Sequence, residues 1–326
     1  MEKGNSNLKK EGRIMLTEIT EGIQRLIVTF PMGMGDVNSY LIEGENGYTV
    51  IDTGANLDEA VEIWKDVLDT GIKIEKVVIT HTHEDHVGLA RWFQETVGVP
   101  VAIPKISMKE MEKALNQDLE QVRAYIKKYD GPNLPNFYFE NKRIFAFQPD
   151  ETFENHQKIK LGDDLYETIW TPGHAYDHFC FYNKEKNVLI VGDHVLKDVS
   201  PVVGVWTAEE EGNPLQDYFQ SLEVIKGYSP KIALTGHGEP IYEFKKRVTE
   251  LQERHMMRLE EVHAAVKDEY KTVKQVCEEI YGTMNIIIDL SAFMAVLTRL
   301  IYLENMKRVE RKEVNGKVLF KAKEKE

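Results

Sequence analysis

From Ile14 to about Gly238 short apolar runs alternate with turn residues and helical stretches, the pattern of an α/β layered structure. The runs predict strands over Ile23 to Phe30, Ser39 to Glu43, Tyr48 to Asp52, Lys76 to Thr80 and Val99 to Ile103. They resume over Tyr166 to Thr171, His178 to Tyr182, Val188 to Gly192 and Lys231 to Thr235. Ala60, Val61, Trp64 and Leu68 recur at helical spacing and predict a helix over Asn56 to Thr70, with further helices over Leu89 to Gly98 and Leu215 to Gly227. No repeat of solenoid period is visible.

Two segments leave this rhythm. Between residues 104 and 156, Leu119, Val122 and Ile126 share a helical face, Asp130-Gly131-Pro132-Asn133 breaks the helix, and the aromatic group Phe137, Tyr138 and Phe139 follows. This reads as an inserted helical flap. After Pro240 long amphipathic helices take over, with Val248, Leu251, His255, Leu259 and Val262 on one face. A short helix opens at Thr272 and ends near Gly282, and another is expected over Ser291 to Asn305. Alternating runs at Arg308 to Arg311 and Lys317 to Phe320 then flank Asn315-Gly316, a strong hairpin signal. Helices followed by a hairpin predict a winged-helix-like unit over residues 241–326, after a catalytic portion over 1–240.

A chain of 326 residues, 42% hydrophobic and 29% charged, can bury a large core. Its formal net charge of -13 argues against a protein whose main task is coating nucleic acid, since phosphate binding relies on Lys and Arg. Neither a signal-peptide core nor the roughly 18 apolar residues of a membrane span is seen, so the expectation is a cytoplasmic protein without membrane partners. Assembly as a homodimer stays open. The two cysteines, Cys180 and Cys277, fall in a strand and a helix and read as small core residues, not as a disulfide or ligands.

Metal chemistry must therefore rest on imidazole and carboxylate. His81-Thr82-His83-Glu84-Asp85-His86 places three imidazoles and a carboxylate directly after the buried-strand run Val77 to Thr80. These are ligands zinc accepts when no thiolate is offered, and their spacing across a strand-to-helix turn can serve two ions side by side. His174, Asp193 and His237 each stand at the end of another apolar run, beside Gly173, Gly192 and Gly236. The ligands thus gather at one sheet edge, on rigid strand ends. His156, His255 and His263 lie in polar or helical contexts and are expected to be packed or solvated; Glu84 is expected to face solvent.

The His81-x-His83-x-Asp85-His86 motif, Thr171-Pro172-Gly173-His174, Gly192-Asp193 and Gly236-His237-Gly238 resemble, in order and spacing, the metallo-β-lactamase superfamily. The resemblance implies an αββα sandwich of two mixed sheets with the site at one edge. It further implies one metal held by His81, His83 and His174, a second by Asp85, His86 and His237, with Asp193 bridging and Asp52 beneath. The ions would be zinc, with iron or manganese also compatible. An oxygen donor at 193, where the antibiotic-degrading class has cysteine, makes the site similar to that of glyoxalase II-like hydrolases. Histidine at 83 disfavours the flavin-linked di-iron oxidoreductases, whereas persulfide dioxygenases share the motif with a single iron. The expected reaction is hydrolysis by a metal-activated water, with Asp85 or Asp193 moving the proton.

The ligands do not choose the bond. An ester, thioester or lactone of a small molecule is the favoured substrate, with Tyr125, Tyr129 and the 137–139 aromatics as a substrate wall and His178 and His194 as pocket or supporting residues. The combination with a C-terminal winged helix resembles a β-lactamase-like subgroup that includes endoribonucleases. The alternative is accordingly a phosphodiesterase acting on single-stranded RNA, or nucleic-acid binding through the tail's Lys307, Arg308, Arg311, Lys312, Lys317, Lys321, Lys323 and Lys325.

Overall fold

The computed structural model describes residues 16–31, 35–134, 142–205, 207, 212–282 and 286–324. The expected aromatic group Phe137, Tyr138 and Phe139 lies outside the described residues, as does Lys325 at the tail's end. Strands β1 (Thr17–Thr20), β2 (Ile23–Val28), β3 (Val37–Gly44) and β4 (Gly47–Ile51) form an antiparallel meander. Helix α1 (Asp58–Asp69) then crosses to β5 (Ile74–Val78), parallel to β4. The short helices α2 (Glu84–Val87) and α3 (Ala90–Trp92) come next, the latter continued by a π-helical turn over Phe93–Val97, and lead to β6 (Val101–Pro104). Helices α4 (Ser107–Asn116) and α5 (Leu119–Lys128) and a 3-10 turn over Lys142–Phe145 precede β7 (Glu151–Phe153). The expected insertion is therefore shorter than 104–156, because β7 pairs in parallel with β6 and completes a seven-stranded sheet. Its three residues carry too little pattern to be read as a strand in isolation.

The second sheet has five strands: β8 (Lys158–Leu161), β9 (Asp164–Trp170), β10 (Phe179–Asn183) and β11 (Val188–Gly192) antiparallel, then β12 (Ile232–Thr235) parallel to β11 after helix α6 (Pro214–Lys226). Strand alternation explains how the sheets face each other. Tyr40, Ile42, Ile51 and Val78 of the first sheet meet Tyr166, Phe179, Phe181, Ile190 and Leu234 of the second in one buried cluster. Their neighbours Leu41, Val50, Val77 and Ile103 point outward onto Trp64 of α1 and Phe93. On the far side, Ile169, Cys180, Leu189, Val191 and Ala233 point outward onto α6 and the helices of the C-terminal tail. Both faces of β11 are covered, so Val188 to Val191 reads as an unbroken apolar run.

The tail comprises α7 (Phe244–Ala265), α8 (Val273–Tyr281), α9 (Ile286–Asn305) and the antiparallel hairpin β13 (Val309–Val314) and β14 (Lys317–Ala322). Thr272 and Gln275 form a reciprocal capping box that starts α8, and Gly282, with φ of 73°, ends it. Asn315 and Gly316 both take positive φ, as the two-residue hairpin turn requires. Val248, Leu251, Leu259 and Val262 of α7 are buried, as their spacing predicts, and share one continuous cluster with α6, α9 and the outer face of the second sheet. The insertion's α5 joins this cluster through Val122, Tyr125, Ile126 and Tyr129.

Candidate metal centre

β4 and β5 run parallel, and β9, β11 and β12 share one direction in the other sheet. The loops after these strands carry Asp52, His81, His83, His174, Asp193 and His237, and α2 adds Asp85 and His86. The two sheets are stitched at the same edge: Asn38 N donates to Gly236 O at 2.7 Å and Phe179 N to Thr80 O at 3.0 Å. The expected convergence is what the fold produces. One candidate ligand atom each from His81, His83 and His174, from His81, His86 and Asp193, and from Asp85, His86 and His237 come within 4.8 Å of one another.

At four imidazoles one nitrogen is already committed. His86 Nδ1 donates to Asp52 Oδ2 at 2.8 Å, His174 Nδ1 to the Val202 carbonyl at 2.8 Å and His237 Nδ1 to the Asp36 carbonyl at 3.0 Å. Thr80 Oγ1 donates to Asp52 Oδ2 at 2.8 Å, so His81 Nδ1, 2.9 Å from that hydroxyl, is the donor to it. A proton therefore sits on Nδ1 in each ring, and the Nε2 atoms of His81, His86, His174 and His237 are buried without hydrogen-bond partners among the described residues. Asp193 Oδ1 is likewise without one, and Asp193 Oδ2 lies 3.3 to 3.5 Å from the Nε2 atoms of His237, His174 and His86. Buried polar atoms left this way carry a large desolvation cost unless something accepts their lone pairs. A divalent cation fits that need, and the donor set is one zinc accepts.

The electrostatics divide the site. Burial, reinforced by neighbouring imidazoles, holds His81 well below its ordinary pKa; burial likewise lowers His83 and takes His174 down to about 4. Burial also opposes charge on His237, but Asp193 and then Asp85 outweigh it and raise His237 to about 10; His86, beside Asp193, Asp85 and Asp52, is likewise held well above its usual value. One half thus offers neutral nitrogens, while the other demands positive charge, as protons or as a cation.

The frame beneath is tight. Asp52, buried with φ of 58°, also accepts the Thr80 backbone N–H on Oδ1 at 2.8 Å. A Cβ on Gly236 would stand 2.1 Å from Asp193 Oδ1, so only glycine fits there. His178 accepts the Asp193 N–H on Nε2 at 3.2 Å and pairs through Nδ1 with Thr171 Oγ1 at 2.8 Å. It is fully buried and supports Asp193 from behind, without lining the open cleft. His194 is also fully buried, its ring against Tyr218.

A cleft of about 420 Å³ opens beside His83 and His174, walled by Lys109, Glu110 and Gln117 on the insertion side and by Asn213 and Asp217 at α6. Tyr125 and Tyr129, expected as a substrate wall, are not brought there. They lie buried in the tail's cluster, Tyr129 stacked on Phe320 and accepting Arg311 Nη1 at 2.9 Å through its hydroxyl. Periodicity shows which face of α5 is apolar but not what it meets. Asp177 is a support that the sequence pattern did not single out: it is buried and accepts Thr82 N, Thr82 Oγ1 and Ser107 Oγ, tying α4 to the loop between His81 and His83. Its position beside His178 was the available signal. Cys180 is a buried core residue, as expected, and the two cysteines are not joined in a disulfide. No helix among the described residues is long and apolar enough to cross a membrane.

The profile of the metallo-beta-lactamase superfamily matches residues 32–237, a span that contains every residue of this cluster. The chain belongs to that superfamily. It is 28% identical to the probable metallo-hydrolase YqjP of Bacillus subtilis over 279 residues, 80% of this chain and 86% of that one. It is 25% identical to the thioesterase pkgB of Emericella nidulans over 260 residues, 77% of this chain and 62% of that longer relative. Among solved structures, a metallo-beta-lactamase family protein of Thermus thermophilus superposes with a TM-score of 0.80 at 25% identity, covering 94% of this chain and all, 100%, of its own. This superfamily member is a hydrolase, and its converging His and Asp groups could hold metal ions.

Proposed function

We propose that the protein is a binuclear zinc hydrolase of a carboxylic thioester or ester. The observation that carries this reading is the set of four buried Nε2 lone pairs and the Asp193 carboxylate, aimed at one volume by rings each pinned at Nδ1. His81, His83 and His174 would hold one ion, Asp85, His86 and His237 the other, with Asp193 between them. Divalent ions there supply Lewis acidity toward a carbonyl oxygen and make water acidic near neutral pH. Asp193 is 1% exposed at its side chain and suits a bridging role, whereas Asp85, 16% exposed, is the candidate ligand carboxylate able to exchange a proton with solvent. The resemblance to a relative named as a thioesterase supports the choice of bond. Against a nucleic-acid substrate stands the engagement of the tail's cations: Arg308 makes two 2.7 Å hydrogen bonds to Glu260, Arg311 pairs with Glu304 at 3.1 Å, and Lys317 pairs with Asp130.

Elemental analysis of purified protein, followed by a panel of thioesters, esters, lactones, phosphodiesters and single-stranded RNA, tests this reading. About two zinc ions per chain with preferred thioester or ester turnover is expected. Absence of transition metal after attempted reconstitution overturns the metal centre, and RNA cleavage without acyl hydrolysis overturns the substrate class.

A further inference from the structure

We infer that the C-terminal helices are a working part of the metal centre, in which Thr298 and Arg247 are positioning residues for His174. The inference rests on the metal-centre reading above. Among the described residues His174 is oriented by one backbone acceptor, the Val202 carbonyl, 2.8 Å from its Nδ1. That carbonyl belongs to an irregular connection that begins with Asp193, directly after β11, and carries no helix or strand up to residue 205. Such a connection holds a ring only as firmly as it is itself held.

Among the described residues, four side-chain hydrogen bonds anchor it from the helices packed outside the second sheet, three of them from the tail. Arg247 of α7 donates through Nε to Leu196 O at 2.7 Å and through Nη2 to Val199 O at 2.8 Å. Thr298 of α9 donates through Oγ1 to Val203 O at 2.9 Å, one residue from the carbonyl that holds His174. Tyr218 of α6 adds a bond to His194 O at 2.9 Å. Threonine inside a helix usually turns its hydroxyl back to the carbonyl four residues earlier. Thr298, 1% exposed, crosses instead to a segment 95 residues away. Arg247 spends two arms of its fork on backbone carbonyls and, among the described residues, reaches one carboxylate, Glu250 at 3.4 Å. Both residues thereby fix the connection between bridging Asp193 and the acceptor for His174, and the tail acts on the site without touching the cleft.

Thr298→Val keeps the side chain's shape and removes the donor. Zinc affinity by chelator competition and the visible spectrum of the cobalt(II)-substituted protein are measured beside the thermal unfolding of the metal-free chain. Removing an outer support of a ligand typically lowers metal affinity about 10- to 100-fold. A loss of that order is expected for Thr298→Val, with a changed cobalt spectrum, metal-free unfolding within a few degrees of wild type, and restoration by Thr298→Ser. Arg247→Lys, which cannot reach both carbonyls, shifts affinity in the same direction and decides the matter alone if Thr298→Val does not fold. Variants with wild-type zinc affinity and cobalt spectrum overturn the inference while leaving the metal centre intact. Wild-type protein that takes up neither metal overturns the metal centre, and this inference with it.

Discussion

At the scale of single residues, tautomer and charge are set by partners outside the ligand cluster. Asp52 serves Thr80 and His86 at once, and through Thr80 it also settles the proton on His81. Asp193 is the carboxylate most shared, its Oδ2 within 3.5 Å of three imidazoles. Asp193→Ala removes both the shared oxygen and a charge that holds His86 and His237 at raised pKa. Metal content and hydrolysis are expected to fall together, and elemental analysis beside turnover reads both. Full activity at reduced metal content would show that the bridge is not needed. The identity of these residues was legible in the sequence, because each comes after an apolar run that had to be a strand. Among their supports Asp52 and His178 were named from the sequence, but those of His174 and His237 were not: Val202 and Asp36 act through backbone carbonyls, which no side-chain pattern marks.

At the scale of elements, the insertion divides its work between two helices. α4 reaches the metal loop through Ser107 and Asp177 and lines the cleft with Lys109 and Glu110, whereas α5 turns its aromatic face to the tail. Replacing Tyr129 by alanine therefore opens a cavity beside Phe320 and is expected to destabilise the fold by about 3–5 kcal/mol. Its effect on kcat/KM should be equal for small and bulky substrates. Denaturant unfolding and a substrate-size series measure the two quantities, and a size-selective change would return Tyr129 to the substrate wall. The apolar period on α5 was readable from Val122 and Ile126; the partner that buries it came from the other end of the chain.

At the scale of the whole molecule, one buried cluster joins the second sheet, the insertion and the tail, so protonation within it bears on global stability. His255, 3% exposed beside Tyr218 and Phe219, has neither ring nitrogen hydrogen-bonded among the described residues, and burial, aided by Arg299 and Arg254, lowers its pKa from 6.5 to about 3. The unfolded chain binds a proton near pH 6.5 that the folded chain refuses until about pH 3, so stability is lost as pH falls through that window. In metal-free protein, His255→Phe should flatten the acid side of the stability curve between those limits. A curve of unchanged slope from urea unfolding at several pH values would exclude His255 as a contributor.

The layered fold and the candidate ligand set were written in the chain, since strand alternation and helical period are local properties and the candidate ligands stand at strand ends, where polarity changes abruptly. So were the Asn315-Gly316 turn and the buried stripe of α7, for the same local reason. Only the tertiary structure decided that β7 completes the first sheet, that α5 belongs to the tail's cluster, and that Thr298 and Arg247 support the connection holding His174. Those outcomes depend on contacts between segments far apart in the chain. The information for them resides in which surfaces complement each other after folding, and a one-dimensional pattern reports only that a surface needs covering.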